Sequence, residues 1–167
     1  MKKKSVIIVL VIIILIIIAG VVFFSASKVD ITNEDAKDMI LEEYAMVLNS
    51  NGDSDNLNSL LYSELELEVS KVSKKSGSIY ASCHVSNHDI RSAYSSTATL
   101  SDDSTTLNDF NEILKKEYLK TDMVDNDVEV LIEKIGDSYC AKFDEKSFDA
   151  FTGGLLTYYK DSKYVEE

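Results

Sequence analysis

The stretch LELEVSKVSKKSGSIYASCHV, residues 65–85, decides the fold. Leu65, Leu67 and Val69 alternate with Glu66 and Glu68, the period of a half-buried strand. Lys74-Lys75-Ser76-Gly77 makes a polar turn. From Ile79 to Val85 the alternation resumes, with Ile79, Ala81, Cys83 and Val85 on one face. Two such runs across a short turn predict an antiparallel hairpin. Further on, Val128, Val130 and Ile132 alternate in the same way, Gly136-Asp137 turns the chain, and Tyr139, Ala141 and Phe143 continue the pattern. A second hairpin is expected there.

Helical spacing fills the intervals. Thr32 is placed to cap a helix, with Asp35 three residues on as the other half of a capping box. Ala36, Met39, Ile40, Tyr44, Val47 and Leu48 carry that helix to about Asn49, and Asn51-Gly52-Asp53 ends it. Asp55 is positioned to cap a shorter helix bearing Leu57, Leu60 and Leu61. Carboxylates and amides crowd Asn49 to Glu64, yet a calcium loop begun at Asp53 would put Leu57 and Asn58 where a ligand and a glycine are required. The segment therefore reads as a turn between helices. Asn87 or Asp89 caps a helix with Ile90, Ala93 and Tyr94, and Ser95 to Thr106 reads as a loop. Leu107, Phe110, Leu114 and Tyr118 predict the next helix. Phe148, Phe151, Leu155, Leu156 and Tyr159 predict a last one, weakened by Gly153-Gly154. This order predicts an α+β domain, an antiparallel sheet packed against helices.

Ahead of this domain lies VIIVLVIIILIIIAGVVFF, residues 6–24, an uncharged apolar run of 19 residues. As a helix it would cross the ~30 Å hydrocarbon layer of a bilayer. Lys2, Lys3 and Lys4 precede it, which by the positive-inside rule holds the N-terminus in the cytoplasm. The expected layout is a cytoplasmic N-terminus (1–5), a transmembrane helix (6–24), a linker (25–31), an extracytoplasmic domain (32–160) and a tail (161–167). Expected localisation is the cell membrane, single-pass. A cleaved signal peptide is the alternative, because Ser25-Ala26-Ser27 offers a small-residue cleavage site, but signal apolar regions usually run ~7–15 residues. No cysteine lies in or just after the span, which excludes lipid attachment there.

Removing the three leading lysines from a net charge of −12 leaves −15 on the remainder. Such a surface repels nucleic acid and anionic lipid headgroups, so no nucleic-acid partner is expected. Expected partners are membrane lipid through residues 6–24 and a protein outside the cell. Arg91 is the only arginine, and proline and tryptophan are absent, a bias typical of AT-rich bacterial genomes. Cys83 and Cys140 are the only cysteines. Strand parity puts them on opposite sides of the sheet, which argues against a disulfide.

Three stretches carry a resemblance: the first helix with Asn51-Gly52-Asp53 and Leu57 to Leu61; the strand running into Val85-Ser86-Asn87-His88-Asp89-Ile90; and the closing hairpin Val128 to Phe143 with its aromatic helix. Together they resemble the extracytoplasmic domains of the nuclear-transport-factor-like (cystatin-like) superfamily in Gram-positive bacteria. The resemblance spans most of residues 32–160. It implies a sheet curled around a long helix to leave a conical pocket. Related domains include scaffold parts of conjugation machines, and enzymatic members use acidic, histidine or tyrosine side chains in the pocket. No such catalytic motif is present, so no catalytic residue, cofactor or metal is assigned.

The remaining pocket candidates are His84, His88 and Asp89. Two histidines four apart share a face only on a helix, whereas His84 is expected on a strand and His88 in the turn after it. An Asp–His acid–base pair would need a carboxylate shifted by burial, and parity points His84 to the polar side. Tyr159 is expected in the core rather than as a stacking platform. The leading expectation is a membrane-anchored binding or scaffold domain rather than an enzyme. The alternatives are a scaffold of a conjugation or type IV secretion apparatus, and a pocket enzyme or small-ligand binder.

Overall fold

A computed structural model describes residues 29–49 and 57–163. The expected transmembrane helix over 6–24, the Asn51-Gly52-Asp53 turn, the Asp55 cap and residues 164–167 of the expected tail all lie outside the described residues. Among the described residues no helix is long and apolar enough to cross a membrane. The chain divides at Asp30 into two units, and the second, from Ile31 onward, carries the elements that follow.

Element order is α1 (Asn33–Asn49), α2 (Leu57–Ser63), β1 (Glu66–Lys75), β2 (Ser78–His88), α3 (Ile90–Leu100), α4 (Leu107–Tyr118), β3 (Met123–Ile135), β4 (Ser138–Lys142), α5 (Glu145–Phe151) and α6 (Leu155–Lys163). The strands form one antiparallel sheet in the order β1-β2-β3-β4. An α+β fold with a sheet covered by helices is therefore what these residues build. Both hairpins turn where expected. Ser76 and Gly77 sit at φ 51° and 92°, the positive angles that a tight two-residue turn demands. β2 and β3 run beyond both expected ends, β1 starts one residue later than expected and runs on to Lys75, and β3 is the longest, at 13 residues.

Leu67, Val69, Ala81, Cys83, Val85, Val128, Val130, Ile132 and Ala141 are all buried, on one face of the sheet. Against that face packs α1, touching β1 and β4. Its buried residues Ala36, Ile40, Tyr44 and Leu48 recur every four positions and form a single stripe. Thr32 and Asp35 bond reciprocally, the Asp35 N–H to the Thr32 hydroxyl at 3.1 Å and the Thr32 N–H to the carboxylate at 3.0 Å. These bonds satisfy donors that a helix start leaves orphaned. Between α1 and the sheet, Tyr44, Phe143 and Phe151 meet edge to face or tilted, with ring centroids 4.9–6.0 Å apart. Aromatic rings bury more area per residue than any aliphatic side chain, so this trio anchors the core.

Two expectations need correction. Ser95 to Leu100 continue α3 rather than forming a loop; Thr97, Thr99 and Ser101 donate their hydroxyls to carbonyls one turn back. That bonding keeps hydroxyl residues helical without an apolar stripe. The single closing helix is two, α5 and α6, broken by Gly153 and Gly154 at φ 62° and 93°. The second of them, α6, runs on to Lys163.

Candidate functional site

The most constrained polar arrangement sits at the C-terminal end of β2. By alternation from Val85, Asn87 falls on the buried face, and it has no exposed surface. Its amide nitrogen donates to the carbonyls of Phe151 at 2.8 Å and Leu61 at 3.0 Å. Its oxygen accepts from the Tyr118 hydroxyl at 2.5 Å and the His88 N–H at 2.9 Å. The Tyr44 hydroxyl donates to the Phe151 carbonyl at 3.0 Å. Side chains from α1, β2 and α4 thus meet the carbonyls that end α2 and α5. Burial pushes the phenols of Tyr44 and Tyr118 well above the usual range, so both remain proton donors. Among the described residues no buried side-chain nitrogen or oxygen lacks a partner. A network this fully satisfied holds elements in register rather than offering a group for reaction.

The three residues singled out from sequence lie close in the chain but do different work. His84 stands on the polar face of the sheet, half exposed, with Nδ1 3.0 Å from Asp127 and Nε2 4.0 Å from Asp125. The Asp127 hydrogen bond raises its pKa; slight desolvation opposes this, and the charges of Asp127, Asp125 and Glu68 add to it. His88 lies on the last residue of β2 and not in a turn. Its Nδ1 sits 2.7 Å from the Thr121 carbonyl, a pure acceptor, so that nitrogen carries the proton. The ring meets Tyr118 edge to face at 5.1 Å. Asp89 caps α3, accepting from the backbone of Arg91 at 3.0 Å and Ser92 at 3.3 Å, and from the Ser92 hydroxyl at 2.7 Å. Burial pulls its carboxyl upward, but those bonds and Arg91 outweigh it and leave the pKa lowered. The geometry does not join the three into one cluster.

Tyr159, expected in the core, is 49% exposed. Its neighbour Tyr158 is the one that packs, stacked on Tyr94 with centroids 4.5 Å apart. Cys83 and Cys140 are both free, on opposite faces as parity predicts. Burial pushes the Cys83 thiol up to about 12, leaving it unreactive at neutral pH. Among the described residues no group of three or more His, Cys, Asp or Glu is placed to hold a metal ion.

Among the described residues, two grooves stand out on the surface. The larger, about 700 Å³, crosses the polar sheet face beside His84 and is lined by Glu68, Asp127 and Glu129. The smaller, about 370 Å³, runs between β3 and the α5–α6 pair and receives Arg91, Lys146 and Lys160. Sequence reasoning missed Asn87 and both grooves. For Asn87 the signal was available, since a polar residue on the apolar register of a strand must find buried partners. No family model, curated protein or solved structure matches the chain.

Proposed function

We propose that the chain is a membrane-anchored, extracytoplasmic binding or scaffold module of nuclear-transport-factor-like (cystatin-like) build. The observation that carries this reading is the filled interior. Where the family's shape would leave a conical pocket between long helix and sheet, Tyr44, Phe143 and Phe151 pack edge to face or tilted against one another. Recognition then belongs to the outer surface, where both grooves lie. The leading lysines and the apolar run Val6–Phe24 support a tether with the folded unit outside.

Reporter fusions at the C-terminus of the full-length chain test the tether. Alkaline phosphatase should be active there and a green fluorescent protein dark; the reverse pattern overturns it. Photo-crosslinking in intact cells tests the module, with a discrete larger species expected and recovery of monomer alone counting against it.

A further inference from the structure

Only half of β3 has a strand on its outer side. β2 pairs with β3 from Met123 to Ile132, whereas β4 pairs only with Leu131 to Ile135. In an antiparallel ladder alternate residues turn their N–H and C=O away from a given neighbour. Between Met123 and Val130 no described strand takes those groups. The smaller groove lies along this open half, with Val124, Asn126 and Val128 on the strand side and Ala150 and Leu156 on the helix side. Asn126 is half-buried there, and its side-chain amide makes no hydrogen bond among the described residues.

The charges along the groove are unequal in availability. Glu145 is engaged by Lys160 at 2.6 Å, and Asp149 by the Thr157 hydroxyl at 2.6 Å and N–H at 3.0 Å. Lys146 makes no ion pair among the described residues, but its charge helps to lower the pKa of the neighbouring Asp144, and it borders the larger groove as well. Arg91 is half exposed and meets Asp89 through Nε at 3.5 Å. Two cations therefore face an extended slot on a chain whose remainder carries strong negative charge.

We propose that this slot receives the C-terminal end of an extended partner chain. Its backbone adds as a fifth strand to the open half of β3, apolar side chains rest on Val124, Val128 and Leu156, and the terminal carboxylate meets Lys146 and Arg91. Strand addition supplies affinity through main-chain bonds. A polyacidic segment would be repelled by the net charge of the domain, so a single carboxylate at a chain end fits better than a run of Asp and Glu. The proposal deepens the binding-module reading and rests on it.

The test uses the full-length chain, immobilised in detergent, and an equimolar pool of randomised hexapeptides with free C-termini mixed with an isotope-labelled amidated twin. Mass spectrometry of the retained fraction gives the acid-to-amide ratio. Charge-assisted bonds to two cations should favour the acid by roughly tenfold. Lys146→Gln, alone and combined with Arg91→Gln, should bring the ratio toward one, while Lys71→Gln, on the opposite edge of the sheet, leaves it unchanged. Hydrogen exchange should slow at alternate amides of residues 123–130 when the free-acid pool is added. A wild-type ratio near one, a ratio unmoved by Lys146→Gln, or unchanged exchange in β3 overturns the proposal. Those failures leave the reporter and crosslinking results standing, so the two readings fall separately.

Discussion

Asn87 and His84 stand three residues apart on the same strand and show two ways of placing a polar side chain. Asn87 has no exposed surface and reaches four partners from three other elements and its own strand. His84 is half exposed and leans on Asp127 and Asp125, which are themselves in water. Geometry alone would make both look like networks. Their energetics differ because a buried group left without a partner forfeits its hydration, whereas an exposed one regains it. The inner position specifies how the helices dock on the sheet; the outer one tunes surface charge.

Removing the inner group should cost most. Asn87→Ala strips the Leu61 carbonyl and the Tyr118 hydroxyl of their best partners, and a loss of about 3 kcal/mol is expected in urea denaturation. A cost under about 1 kcal/mol would erase the contrast between inner and outer positions. Next comes Gly153→Ala, beside the same network. An added Cβ would lie 1.9 Å from the His88 carbonyl oxygen, at a φ of 62°. At least about 2 kcal/mol should be lost, whereas Gly136→Ala, with nothing within 4 Å, pays for backbone strain alone.

The smallest effect belongs to His84. Its folded pKa is raised above 6.5, so its stabilising contribution is fully present below the unfolded value and fades as pH rises through the folded one. NMR titration should place the ring pKa above 6.5 in the native chain, and Asp127→Asn should bring it down. His84→Gln should remove this shallow pH slope of stability, and high salt should weaken it in the native protein. A native ring that titrated below 6.5 would contradict the Asp127 contact.

How much of this was legible depended on periodicity. Alternation in residues 65–85 and 128–143 gave both hairpins, and the capping pair Thr32–Asp35 gave the start of α1. The parity of Cys83 and Cys140 also held, because side-chain direction in a regular strand is fixed by count. The second half of α3 was illegible because its buried residue is Thr97 and its hydroxyls bond backward along the helix, so no apolar stripe marks it. Asn87 looked like a helix cap from its neighbours. Only its register with Val85 betrays that it faces inward, and the strand ran further than the apolar pattern did. The smaller groove depends on β4 being short, and the Gly136-Asp137 turn fixes where β4 begins but not where it stops.

One feature of β1 bears on how copies of this protein tolerate crowding. The ladder with β2 skips between Val69 and Lys71, and the side-chain amide of Asn33 donates to the carbonyl of Ser70, the residue skipped. A long outermost strand would otherwise be a template for sheet-to-sheet growth. Here the bulge bends it, Asn33 occupies a carbonyl at its middle, and Lys71, Lys74 and Lys75 charge its far half. Copies of the domain that meet at this edge thus find a blunted border, which guards against fibrous assembly through β1.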